Sequence, residues 1–336
     1  MNIAMVAPYD LKRTGGVERY ILNFAHVAAR ENKLVLFTDT VLEDHNYRIK
    51  PLISTQTDSS LYDLCITHAI YGYSLLPKAR EYIHIFHGTI LGNLFVRPWL
   101  SIHPSFLRWL LMEKRSTLGK SGIVGVSFQA CKEIKTMGFK GPIKKIPSGG
   151  GFESDRYMKA AKADNLTIVF CGRTQDKVKR FPWILKGFAI ARRYCQGIEL
   201  RVIGPGYEGM SMQGVYFMGD LQANEVGSEL AKAHIQINAS HYEGSSLALA
   251  EGVLQGGLIS LVTPVGGNRD IIENGVTGYF FESPHELASL IRQLEADRGL
   301  CDLLLDNVQR LKFQWTWEHV AKEVLDFGRD LIKARQ

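Results

Sequence analysis

The sequence predicts an α/β protein made of two halves, each holding a parallel sheet. Three observations carry that prediction. Apolar runs of strand length alternate with helical or polar segments along the whole chain. Strand-like runs repeatedly end in a glycine-containing loop that opens a helix, as at Gly15-Gly16, Gly172 and Gly266-Gly267. At 336 residues the chain also exceeds what one hydrophobic core usually serves.

In order, Asn2 to Ala7 reads as a buried strand, followed by the loop Pro8 to Gly16 and a helix whose apolar stripe is Val17, Tyr20, Ile21, Phe24 and Ala28. Gly15 and Gly16 let a backbone approach a ligand closely, and the helix start beyond them offers amides to an oxygen. A plain tight turn is the alternative. Leu34 to Thr38, Leu64 to Thr67 and Ile83 to Phe86 are further strands. The last ends in His87-Gly88, where open α/β sheets bind ligands, so His87 is a candidate to hydrogen-bond a substrate hydroxyl or carbonyl, against the alternative of being one more of ten histidines. Leu94 to Arg115 interleaves Phe95, Trp99, Phe106, Trp109 and Leu110 with Arg97, Arg108, Lys114 and Arg115. Such a mixture suits a membrane interface, or a helix from about Ser105 to Leu118 that packs on its own sheet. Ile123 to Val126, Ser127 to Met137 and Ile143 to Ile146 continue as strand, helix and strand.

Pro147-Ser148-Gly149-Gly150-Gly151 reads as a linker. The expected division is 1–148, 149–316 and a C-terminal helix, 317–336, that returns to the first domain. Leu166 to Cys171 opens the second half as a strand. The following loop carries Arg173, Lys177, Lys179 and Arg180 ahead of a helix from Pro182 to Arg193. Four cations at a helix start suit a phosphate, against the alternative of a solvated loop. Leu200 to Ile203, Val215 to Met218, Ile235 to Ala239 and Leu258 to Val262 extend the strand series; helices are expected near Glu225 to Ala233 and Ser246 to Gln255. Thr263 to Asn268 is a second glycine turn opening a helix, Arg269 to Glu273. Pro284 to Ala296, Leu300 to Leu311 and Trp317 to Lys333 read as helices.

Composition excludes several classes. No charge-free apolar run reaches bilayer length, and Met1 to Val6 has strand character rather than that of a signal peptide. Five scattered cysteines without a CxxC pair suit a reducing cytoplasm. Net charge is +6, yet residues 1–150 carry 19 Lys and Arg against 11 Asp and Glu, while the remainder carries 21 against 23. The basic half favours an anionic acceptor or an acidic membrane surface. A solvated basic face without a partner is the alternative. No nucleic acid is expected as partner.

The most informative stretch is Ser240-His241-Tyr242-Glu243-Gly244-Ser245-Ser246-Leu247-Ala248-Leu249-Ala250-Glu251. Glu243 falls on a strand-to-helix loop and Glu251 inside the helix, roughly 9 Å further along its axis at about 1.5 Å per residue. Ser245 or Ser246 suits the N-cap, and the first amides beyond it suit an anion. This stretch, followed by Gly256, Val265-Gly266-Gly267, Asp270, Gly275, Gly278 and Tyr279, resembles the C-terminal signature of the family four retaining glycosyltransferases. Gly15-Gly16-Val17-Glu18 and the Arg173 to Lys179 loop are similar to the same family's motifs.

The resemblance implies the GT-B fold, two Rossmann-like domains facing across a cleft. It implies Glu251 on the nucleotide ribose and Glu243 on donor-sugar hydroxyls. Gly244, Ser245, Ser246 and Leu247 would stand by the distal phosphate, with Arg173 and Lys179 on the diphosphate. Gly15 and Gly16 would lie beneath the phosphates, and His87 by the donor sugar. His87, Glu243, Arg173 and Lys179 are the expected catalytic set. The implied substrate is a nucleotide sugar, a UDP-sugar first among them. No cofactor and no metal are expected, because no Asp-x-Asp motif is present and the cations take the electrostatic role. The basic N-terminal half and the Trp-rich segment suggest a lipid-linked or otherwise anionic glycan acceptor at the inner membrane face, with bacterial cell-surface polysaccharide or lipopolysaccharide synthesis as the expected pathway. Three positions depart from the family: Gly252 where Ala is usual, Arg180 where Gly is usual, and Leu258 where Pro is common. Because of Arg180, Lys177 competes with Lys179 for the phosphate. A sugar-nucleotide epimerase or hydrolase on the same scaffold, and a non-catalytic scaffold module, are the rival readings.

Overall fold

The computed structural model describes residues 1–12, 15–43, 45–68, 76–96, 98–152, 162–207, 210–311 and 316–336. The chain divides into two compact units, Met1–Ser148 with Trp317–Gln336, and Gly149–Thr316.

In the first unit β1 (Asn2–Val6), α1 (Gly16–Ala28), β2 (Lys33–Phe37), β3 (Arg48–Lys50), β4 (Tyr62–His68) and β5 (Ala79–Phe86) come first. They are followed by α2 (Ile90–Val96), α3 (Phe106–Ser116), β6 (Gly122–Gly125), α4 (Phe128–Thr136) and β7 (Ile143–Lys145). All seven strands run parallel in the order β3-β2-β1-β4-β5-β6-β7, so the winding reverses between β1 and β4. The central strands are buried on both faces, which is why Ile3–Val6 and Leu64–Ile66 are nearly continuous apolar runs. α1 buries Tyr20, Ile21, Phe24, Ala25 and Ala28 at helical spacing.

In the second unit β8 (Thr167–Cys171), α5 (Phe181–Arg192), β9 (Glu199–Ile203), β10 (Val215–Gly219), α6 (Ala223–Lys232) and β11 (Ile235–Asn238) are followed by α7 (Leu247–Glu251) and β12 (Ile259–Val262). α8 (Asn268–Ile271), β13 (Gly278–Phe280), α9 (Pro284–Ala296) and α10 (Arg298–Leu311) complete it. Its six parallel strands run β10-β9-β8-β11-β12-β13, with the reversal between β8 and β11. The core gathers Phe170, Phe181, Phe188, Phe281 and Ile291 between sheet and helices. α11 (Trp317–Ala334) packs on the first unit. Small residues admit it closely: a Cβ on Gly122 would meet Phe327, and one on Gly328 would meet Leu64. Arg30 to Glu318 and Lys144 to Glu323, each at 2.9 Å, tie its surface.

The α/β class and the two parallel sheets are as the alternation predicts; several details differ. β3 was not expected, because a three-residue edge strand with two cations has no apolar run to reveal it. The expected helix Ser246 to Gln255 is split: α7 gives way to a π-helical turn, Gly252–Gly256. Residues 148–151, read as a linker, are buried, and a Cβ on Gly150 would lie 2.2 Å from the Ala250 carbonyl. Gly150 thus allows close packing on α7.

Candidate functional site

In the second unit the loops after β8 and β11 leave the sheet at the point where the winding reverses, the position at which open α/β sheets bind ligands. Glu243 lies on the β11 loop and is 9% exposed. Its Oε1 accepts from Lys179 Nζ at 2.5 Å, Ser240 Oγ at 2.7 Å and Asn238 Nδ2 at 3.3 Å. One cation and two neutral donors thus offset the desolvation of the carboxylate. All three reach the same oxygen, and none reaches Oε2.

The β8 loop supplies the cations. Asp176 caps the 3-10 turn Lys177–Lys179 by accepting from Val178 N at 3.0 Å, and it also pairs with Arg173 Nη2 at 3.3 Å. Arg173 is 72% exposed and Lys177 is exposed, whereas Lys179 turns inward onto Glu243. Arg180 is left-handed, with φ 47° and ψ 41°, a backbone conformation that favours glycine. Its guanidinium donates from Nε to the Ala239 carbonyl at 2.6 Å and from Nη2 to Ser240 O at 3.2 Å, and lies 4.0 Å over the Trp183 ring. His241 N donates to Val178 O at 2.8 Å. The two loops are therefore stitched together at residues 239–241, just ahead of Glu243, and at Glu243 itself.

A third loop closes on them. Gly267 N donates to Glu243 O at 3.0 Å, and Thr263 Oγ1 to Ser240 O at 2.6 Å. A Cβ on Gly266 would sit 1.8 Å from Glu243 O, and Gly266 has φ 43°, so this position requires glycine twice over. Ser246, rather than Ser245, is the N-cap of α7; its Oγ accepts from Leu249 N at 3.3 Å and from Asn238 Nδ2 at 3.2 Å. Gly244 and Ser245 precede the cap and Leu247 is the first helical residue, so they stand with Glu243 at this strand end. Glu251, 7% exposed, is the last residue of α7. Directly after it, a Cβ on Gly252 would collide with Gln236 Oε1 at 2.1 Å. Gln236 Nε2 donates to Leu249 O and Ser260 Oγ, each at 3.0 Å, so a buried amide occupies the room that the family's alanine would need.

The first unit carries the remaining candidates at its own strand ends. Gly15 is the N-cap of α1, with Gly16 its first residue. Gly15 has an ordinary extended φ of −77°, so its turn does not depend on glycine's conformational freedom. His87 follows β5. Its Nε2 lies 3.0 Å from Nδ1 of the fully buried His68, and its ring packs edge-on to Tyr20 with centroids 4.6 Å apart. Burial lowers the His87 pKa to about 3, so the ring is neutral at pH 7. Beyond it, buried Glu113 Oε1 accepts from Ile90 N at 2.7 Å and Glu133 Oε2 from Thr89 Oγ1 at 2.5 Å, fixing the turn into α2. Desolvation, reinforced by Glu133, pushes Glu113 up to about 7 against the pull of backbone donors.

Asn238, Thr263 and His68 were not expected as site residues, and Arg180, expected with the phosphate cations, instead clamps the Ala239 and Ser240 carbonyls. Asn238 had a visible signal, a polar residue inside an apolar strand run; Thr263 and His68 act through contacts 23 and 19 residues away in sequence. Among the described residues no three His, Cys, Asp or Glu side chains are grouped to hold a metal.

Residues 165–297 match the family described as glycosyl transferases group 1. That segment holds Arg173, Lys179, Glu243 and Glu251. Sucrose-phosphate synthase from Thermosynechococcus elongatus has a similar structure, at TM-score 0.81 and 17% identity, covering 99% of each chain. HepE of Anabaena in complex with UDP and glucose aligns at TM-score 0.76 and 15% identity over 97% of this chain and 99% of that one. WaaG, a glycosyltransferase involved in lipopolysaccharide biosynthesis, aligns at 0.76 and 13% over the same shares. No match was found among curated proteins. The fold is that of the GT-B glycosyltransferases, and the match to the group 1 family lies within the second unit.

Proposed function

We propose that the protein transfers a sugar, with retention of configuration, from a nucleotide-diphosphate sugar to a glycan or lipid-linked glycan. The pathway would be synthesis of a bacterial cell-surface polysaccharide or lipopolysaccharide. The observation that carries the reading is Glu243 gripped by Lys179 at the β8/β11 reversal, with Arg173 on the adjoining loop, inside the group 1 segment. A UDP-sugar is the first donor to test, since HepE binds UDP.

In this reading Glu251 takes the ribose and Glu243 the sugar hydroxyls through Oε2, the oxygen that Lys179, Ser240 and Asn238 do not contact. Arg173, Lys179 and the backbone from Gly244 to Leu247 take the diphosphate. The C1–O bond of the donor breaks with its electron pair going to the diphosphate oxygen, where two cations stabilise the growing charge without a divalent ion. The acceptor hydroxyl attacks C1 from the same face and its proton passes to that leaving oxygen. In the first unit His87 contacts a sugar oxygen, and Gly15 and Gly16 allow close backbone approach.

The outer face of α3 supports an acceptor at a membrane. The helix buries Met112, Glu113 and Ser116 and turns Leu107 and Leu111 outward, with Leu118 just beyond, beside exposed Arg108, Lys114 and Arg115. Half-buried Phe106, Trp109 and Leu110 face inward, so one helix serves both packing and an apolar, basic outer face. Among the described residues no helix is long and apolar enough to cross a membrane. Attachment would be peripheral, at the inner face of the plasma membrane.

The test is a thermal-shift screen of nucleotide sugars followed by turnover with and without lipid-linked acceptors in EDTA. Acceptor-dependent consumption is expected, and Lys179→Ala should lower it about 100-fold, the scale of one lost charge-stabilising group. Equal consumption without acceptor would favour an epimerase or hydrolase. Unchanged cellular glycan in Glu243→Ala would favour a scaffold.

A further inference from the structure

The cluster around His87 is more elaborate than a ligand contact needs. His68, the last residue of β4, is fully buried, and its Nδ1 meets His87 Nε2 at 3.0 Å with the two rings stacked at 5.3 Å. Tyr20 of α1 packs edge-on to both rings and to Trp317 of α11. Among the described residues His68 Nε2 has no hydrogen-bond partner, nor has Tyr20 Oη.

Two neutral imidazoles joined nitrogen to nitrogen share one proton in that bond, which leaves two arrangements. If His87 donates from Nε2, the His68 proton must sit on Nε2 and becomes a buried N–H without acceptor. If His68 donates from Nδ1, its Nε2 is only a bare lone pair. Buried orphan N–H groups are the rarer and costlier case, so the second arrangement wins. The His87 proton is then forced onto Nδ1.

We propose that His68 is a positioning residue that locks His87 in the Nδ1–H form, so that His87 serves the site as a neutral donor from Nδ1. With its Nε2 lone pair already engaged, His87 cannot take a proton from the acceptor hydroxyl. It orients a ligand oxygen and is no general base. The lock follows from the geometry of the first unit; its kinetic consequence rests on the transferase reading above.

The two parts are tested separately. Histidine-selective 15N labelling of the full chain should show His87 protonated on Nδ1 at pH 7. In His68→Leu the ring should revert to the usual Nε2–H form, while His68→Asn, whose amide can donate in place of Nδ1, should retain Nδ1–H. A wild-type His87 carrying its proton on Nε2 overturns the proposal, even if neither variant folds. With a nucleotide sugar that is turned over, His68→Leu should lower kcat about tenfold, the low end of the loss seen when a partner orienting a functional histidine is removed, with donor KM unchanged and activity restored in His68→Asn. The wild-type pH profile should show no inflection from His87 between pH 5 and 8; such an inflection, lost in His87→Asn, would overturn the donor-only role. Absence of turnover with every nucleotide sugar would sink the transferase reading and leave the tautomer result standing.

Discussion

Replacing Arg180 separates two opposing effects at one residue. The left-handed backbone of Arg180 costs an L-residue about 1 kcal/mol, which glycine would recover. The side chain works the other way. It pairs the buried Ala239 and Ser240 carbonyls at 2.6 and 3.2 Å and stacks on Trp183. Ser240 O keeps its bond from Thr263, so truncation chiefly strands the Ala239 carbonyl, at about 2 kcal/mol. Losing the stacked cation adds about 0.5 kcal/mol. Arg180→Gly should therefore destabilise the second unit by about 1.5 kcal/mol, and Arg180→Ala, which keeps the strain, by about 2.5 kcal/mol. In a thermal melt of a domain this size, 1 kcal/mol corresponds to about 2–4 °C, so wild type, Gly and Ala should melt in that descending order. A Gly variant as stable as wild type would show that the clamp contributes nothing. An Ala variant as stable as Gly would remove the strain from the account.

Other outcomes follow from the same contacts. Gly266→Ala should cost about 3 kcal/mol in urea denaturation, since its Cβ would overlap Glu243 O at 1.8 Å and its φ of 43° disfavours alanine; a neutral effect would contradict the packing of the third loop on Glu243. Gly252→Ala alone should destabilise by clashing with Gln236, while in a Gln236→Ala background it should be tolerated, so strict additivity in the cycle would refute the compensation. Acid should weaken the first unit. His87, held by burial near 3 against 6.5 when unfolded, contributes stability fully present above 6.5 and lost as pH falls, about 2 kcal/mol by pH 5. Glu113, raised to about 7, has the opposite sign and returns about 2 kcal/mol over pH 7 to 5. His68 and His84, also driven well below the usual value by burial, decide the balance towards loss. A melting temperature at pH 5 equal to or above that at pH 7 would refute this.

The sequence by itself determined the two α/β sheets, because a strand buried on both faces must be apolar along its length and a surface helix on one stripe, and both patterns survive in linear order. It also determined which loops carry unusual chemistry, since cations, carboxylates and glycines are concentrated just after strand ends. What only the tertiary structure decided is how those loops are held. Oε1 of Glu243 is bonded to Asn238, Ser240 and Lys179, the last 64 residues away in sequence. The space beside Gly252 belongs to Gln236, Gly150 packs on α7 against Ala250, and His68 reaches His87 only because β4 and β5 are neighbours in the sheet. Local periodicity records how each segment meets the core; it does not record which distant segment supplies the donor or the missing volume, because that pairing exists only once the sheet order is set.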